Sequence, residues 1–157
     1  MTNYIAVAAS LVSLVACGGG ADDTSDPPLF PEDYAATYTE VRNCRASIEH
    51  GPIRIRVMAS PEALGPYTDR VSKFPTGAIV LKEQYDDGDT ACAGPILEYT
   101  VMQKLDVGSA TAELDWAWQE VTASTFKTKT IDAGQCVACH KDCITPPDGY
   151  DGTCTTP

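Results

Sequence analysis

Near the end of the chain stand Cys136, Val137, Ala138, Cys139 and His140. Two thiols three positions apart share one side of a helical turn, and an imidazole follows at once. That set suits a porphyrin. Thiols at this spacing add across the two vinyl groups of one haem while the adjacent imidazole meets its iron, so Cys-x-x-Cys-His is the attachment pattern of a c-type haem. His140 is then the axial ligand, and the opposite coordination position is left for a substrate or a gas. Two competing readings fit less well with an exported chain and with the placement of His140. In one, Cys136 and Cys139 simply form a disulfide. In the other, Cys136, Cys139, Cys143 and Cys154 hold zinc or an iron–sulfur cluster.

Export follows from the N-terminus. Residues 1–16 read as a signal peptide: Ile5 to Ala16 is apolar or small, and too short to span a bilayer, which takes roughly 20 residues. It ends in Leu14-Val15-Ala16-Cys17, the pattern of a bacterial lipoprotein signal, in which the lipid is carried on Cys17. A plain secretory signal is the alternative. Residues 17–31, opening on Gly18-Gly19-Gly20, read as a flexible tether, and residues 32–157 as one haem domain. An exported chain allows disulfides. With Cys17, Cys136 and Cys139 set aside, Cys44, Cys92, Cys143 and Cys154 remain of the seven cysteines. Cys143 and Cys154 flank Pro146-Pro147-Asp148-Gly149, which favours local closure and would leave Cys44 with Cys92. The sequence does not choose among the three pairings. The net charge of −11 argues against nucleic acid and against anionic membrane surfaces. Membrane contact is therefore expected only through the anchor, at the periplasmic or outer-membrane surface.

Several elements must position these residues. Tyr34, Tyr38 and Val41 recur at helical spacing after Pro31, which predicts a helix to Ser47. Ile53 to Val57 alternates as a strand, with Arg54 and Arg56 on the face opposite Ile53, Ile55 and Val57. Ser60-Pro61-Glu62 starts a short helix towards Lys73, interrupted near Gly65-Pro66. Strands follow over Ala78 to Tyr85, Ile96 to Leu105 and Asp115 to Ala123. Asp86, Asp87 and Asp89 form a solvated turn rather than a calcium loop. Thr130 to Cys143 is a helix carrying the thiols. The fold class is α+β, an antiparallel sheet with flanking helices and a C-terminal haem-binding helix. Small electron-carrying cytochromes are mainly helical, with an N-terminal motif and a later Met ligand. The four-helix cytochromes lack strands. Neither class fits.

From Tyr34 onward the chain resembles the cytochrome P-460 family, which includes the cytochrome c′-beta proteins. The likeness lies in Ile53-Arg54-Ile55-Arg56-Val57 with Pro61-Glu62-Ala63 and Tyr67, and in Phe74-Pro75-Thr76-Gly77 running on to Lys82-Glu83. It continues in Tyr99-Thr100-Val101-Met102, Asp115-Trp116-Ala117-Trp118 and the haem motif. The resemblance implies a dimeric periplasmic protein with one covalent haem c, oxidising hydroxylamine with nitric oxide as ligand or intermediate. Electrons would pass to a small cytochrome. It also implies a covalent bond from Lys82 to the haem. The c′-beta members lack that bond and bind gases without turnover. By strand parity Lys82 continues the apolar face of Ala78 and Val80, where an unpaired ammonium is costly, while Glu83 faces the other way. Oxidation of an N–H substrate calls for a carboxylate on the open face. Glu98 is the candidate, with Thr100 and Met102 as rivals for that position. Met102 as a sixth ligand would instead make a simple electron carrier. Arg54 and Arg56 face either haem propionates or solvent. Trp116, Trp118 and Tyr99 are expected to pack in the core or on the haem, and His50 to lie on the surface.

Overall fold

The computed structural model describes residues 26–47 and 50–154. The signal peptide and Cys17 lie outside the described residues. Six strands form one antiparallel meander in which each strand pairs with the next in sequence: β1 (Thr39–Ser47), β2 (Ile53–Ala59), β3 (Ile79–Asp86), β4 (Glu98–Lys104), β5 (Trp116–Thr122) and β6 (Lys127–Thr128). Two helices complete an α+β fold: α1 (Pro61–Asp69) follows β2, and α2 (Ala133–His140) carries the thiols. Among the described residues no helix is long and apolar enough to cross a membrane.

Alternation gives the sheet two apolar faces. On one, Ile55, Val57, Ala59, Val80 and Met102 pack with Tyr67 of α1, Phe74 and Trp116. On the other, Met58, Ile79, Leu81, Tyr99, Val101 and Val121 pack against Phe30 and Tyr34. Phe30, which the sequence reading put in the tether, is 3% exposed, and it meets Tyr34, Tyr99 and Phe126 edge-on. Residues 26–38 therefore form a lid on the far face. Gln119 holds it through Leu29 N (2.9 Å) and the Pro27 carbonyl (2.9 Å).

The helix expected from Pro31 to Ser47 does not form. Only a 3-10 turn, Tyr34–Ala36, precedes β1. The apparent helical spacing came from residues serving opposite faces, since Tyr34 belongs to the far core and Val41 packs on the near one. Two register shifts against β2, between Glu40 and Arg42 and between Arg42 and Arg45, also break the period of two that would have marked a strand. Helix α1 is shorter than expected and runs through Pro66 rather than breaking there. It ends where Arg70 turns left-handed at φ 58°.

Two disulfides close the fold, Cys44–Cys92 and Cys143–Cys154. The first ties β1 to the loop after β3. There the Asp89 carboxylate accepts from Ala93 N and Gly94 N, and those backbone bonds hold it below the usual carboxylate range. Asp86, Asp87 and Asp89 thus shape a turn, and no metal-binding cluster occurs among the described residues.

Neither sequence alternative for Arg54 and Arg56 describes what they do on the far face. Arg54 donates to the Asp87 carbonyl at 2.9 Å, and Arg56 donates to Glu83 at 2.6 Å. Glu83 is 2% exposed and accepts also from the Tyr34 and Tyr85 hydroxyls, at 2.5 and 2.6 Å. A buried carboxylate is tolerated because both of its oxygens accept hydrogen bonds, three in all. Glu83→Ala strands Arg56 and two buried hydroxyls and should cost about 3 kcal/mol, measured as a fall in the urea-unfolding midpoint. Glu83→Gln keeps hydrogen bonding and should cost less.

Candidate functional site

The near face opens into a cavity of about 640 Å³ between the sheet, α2 and the C-terminal loop. That volume suits a sizeable organic ligand. Register sets its floor in three rows across β3, β4 and β5. Val80, Met102 and Trp118 form an apolar row, Lys82, Thr100 and Glu120 a polar one, and Gln84 with Glu98 a third. Lys82 does continue the face of Val80, and Glu83 points away, as parity requires.

Helix α2 forms the wall. Asp132 caps it, its carboxylate accepting from Gly134 N at 2.9 Å. The helical turn then places Cys136, Cys139 and His140 together on the cavity lining. The other four cysteines of the described chain are disulfide-bonded, but Cys136 and Cys139 are free thiols. Burial, and next the charge of Glu120, push the Cys136 thiol up, so it stays protonated.

His140 is fixed by the C-terminal loop. Its Nδ1 lies 2.6 Å from the Gly152 carbonyl oxygen. A carbonyl can only accept, so Nδ1 carries the proton and Nε2 keeps its lone pair. Trp118 packs edge-on against the ring, with centroids 4.8 Å apart. Burial lowers the His140 pKa; the Gly152 bond opposes this, and the Lys82 charge adds to it. Charge on β3 is thus felt at the imidazole on α2. The carbonyl itself is anchored. Trp116 Nε1 donates to the Asp151 carbonyl at 2.8 Å, Lys104 Nζ pairs with the Asp151 carboxylate at 3.1 Å, and Cys143–Cys154 ties the loop back.

Three cavity groups were missed or misplaced by sequence reasoning. His50, expected on the surface, is half-buried in the cavity wall, with Nε2 2.7 Å from Lys82 Nζ. A loop histidine beside a glycine carries no signal of that. Lys129 was overlooked; it pairs with Glu98 and, at 3.1 Å, with Glu120. Those bonds, Glu98 foremost, raise its pKa. Glu120 was also overlooked, although Trp116, Trp118 and Glu120 alternate onto one face. Of the residues the sequence singled out, Glu98, Thr100 and Met102 all line the cavity, with Met102 in the near core. Tyr99 lies on the far face.

The lining fits a haem. Two free thiols line it from one helical turn, and one imidazole nitrogen is held unprotonated on the same helix. Thr100 Oγ1, shielded from water with no hydrogen-bond partner, lies on the floor. An antiparallel sheet with a thiol-and-imidazole helix closed over one face defines a haem-binding cytochrome rather than a zinc or iron–sulfur protein. The Cytochrome P460 family model matches residues 31–145, well over half of the chain, and the chain belongs to that family. Family membership carries a haem cofactor with it. A comparison with curated proteins gave no match.

Gly152 is the position to test. Its φ is +85°, and a Cβ there would meet Trp116 Nε1 at 3.2 Å. Gly152→Ala should cost about 1–2 kcal/mol. It should also shift the His140 tautomer signal in nitrogen NMR of the haem-free chain. An unchanged tautomer would show that the carbonyl does not set it.

Proposed function

We propose that the chain is an exported mono-haem c protein that oxidises hydroxylamine, with nitric oxide as a related ligand or intermediate, and passes electrons to a small cytochrome. The observation that carries this reading is the convergence of Cys136, Cys139, His140 and Lys82 on one cavity. Cys136 and Cys139 would hold the haem by thioether bonds, His140 Nε2 would ligate the iron, and Lys82 would supply a third covalent link. When bound, the haem supplies an iron with one face open to a small ligand and a store for the electrons removed. The chain supplies the surroundings. Lys82 lines the same cavity as the thiols, so its amine lies beside the space a haem would fill. His50, against Lys82, is a group able to take a proton at Nε2. Lipid anchoring at Cys17, a periplasmic or outer-membrane location and a homodimer complete the reading.

A second reading is favoured by one contact. Glu98, the carboxylate expected to accept protons from substrate, is engaged by Lys129, which Glu120 shares. A carboxylate held by a lysine is turned to that partner rather than left open to a substrate. The alternative is a gas-binding protein that captures nitric oxide without turnover.

Expression with haem-maturation machinery separates the cases. The wild-type chain should give a haem peptide whose mass joins Lys82, and a strongly red-shifted ferrous Soret band. Lys82→Ala should lose both while keeping the Cys136 and Cys139 attachment. Wild-type-like spectra from Lys82→Ala would sink the cross-link. Hydroxylamine with an electron acceptor should be consumed by the wild-type protein; binding of nitric oxide without consumption would select the gas-binding reading.

A further inference from the structure

Two carboxylates share the cavity floor. Register pairs Thr100 with Glu120 and Glu98 with Thr122, so Glu98 and Glu120 are diagonal neighbours on one face of β4 and β5. Diagonal neighbours are within reach of long side chains, and two like charges there repel. Both residues line the cavity, and the charge of Glu120 is felt at the Cys136 thiol. The pair therefore stands at the end where α2 carries its thiols.

Lys129, a third lining residue, joins the two. Its Nζ pairs with Glu98 and, at 3.1 Å, with Glu120. The sheet fixes its backbone. Strand β6 pairs Thr128 with Val121 and Lys127 with Thr122, and Lys129 N donates to the Glu120 carbonyl at 2.9 Å. From the other side, Thr128 Oγ1 donates to the Asp26 carbonyl at 2.6 Å. The side chain is freer than its backbone. It is 43% exposed, against 25% for Glu98, so the lysine is the more open partner.

Stability does not account for this arrangement, because ion pairs so exposed contribute little. What the pairing sets is direction. The ammonium draws both carboxylates toward itself and away from the rest of the cavity. Its long flexible stem also lets it leave. We propose that Lys129 is a positioning residue that holds Glu98 off the open coordination position of the haem, and thereby sets whether a bound N–H ligand can pass its proton to a Glu98 oxygen. The inference rests on the haem reading above. It assigns the choice between turnover and gas binding to one side chain at the cavity rim.

The test uses the full chain carrying covalent haem, with nitric oxide and hydroxylamine as probes. A wild-type chain that matures without haem overturns the haem reading, and this role with it. With haem attached, Lys129→Met should shift the iron–nitrosyl stretching band in resonance Raman spectra, because a freed carboxylate reaches the bound ligand. It should also consume hydroxylamine roughly tenfold faster than wild type, a modest share of what a positioned base supplies. That gain should fall on kcat rather than KM. Both changes should vanish when Glu98→Gln is added. Lys129→Arg keeps donors for both carboxylates and should behave as wild type. Lys73→Met, at an exposed lysine outside the cavity lining, should change nothing. A wild-type nitrosyl band in haem-loaded Lys129→Met overturns the assignment; so does a shift that survives Glu98→Gln or that Lys73→Met reproduces. The band needs no turnover, so failure of every form to consume hydroxylamine, with the band shifted, refutes the hydroxylamine reading alone.

Discussion

A histidine offers a metal one nitrogen, and which one depends on what the other is doing. In this chain the Gly152 carbonyl takes the Nδ1 proton of His140, and the lone pair is thereby held on Nε2. The residues after α2 keep that carbonyl in place. Asp151 is held at two points, through its carbonyl by fully buried Trp116 and through its carboxylate by Lys104, itself 6% exposed. The Cys143–Cys154 bond returns the chain to the end of α2. Such a loop costs conformational freedom to order, and what it holds is one acceptor atom behind one imidazole.

Strand β3 meets a harder requirement. Lys82 and Glu83 are neighbours, so parity sends one charged side chain to each buried face. The far side meets this with a closed network in which Arg56, Tyr34 and Tyr85 satisfy Glu83. The near side places Lys82 against His50 at a cavity. The two neighbours thus face different surroundings, a closed network on one side and a cavity on the other.

Much of the fold was legible. Strand β2 announced itself by alternation, β3 by its run of Ile, Val and Leu, and α2 by its thiol spacing. Strand β1 did not, because its bulges break the alternation and because Tyr34, Tyr38 and Val41 imitate a helix while serving two different cores. The lid around Phe30 was illegible for a similar reason: a short apolar pair after a Gly- and Pro-rich run has no period to read.

By itself the sequence determined the chemistry available. Cys136, Cys139 and His140 lie within one helical turn, and strand parity alone put Lys82 and Glu83 on opposite sides. Those are consequences of local geometry, which neighbouring residues impose on each other. Tertiary structure decided which distant groups join them. His50, Lys129 and Glu120 reach the cavity only through strand register and loop closure, and the same register turns Arg54 and Arg56 away from it. Contacts of that kind depend on how whole elements pack, and no window of sequence around any one of these residues contains that information.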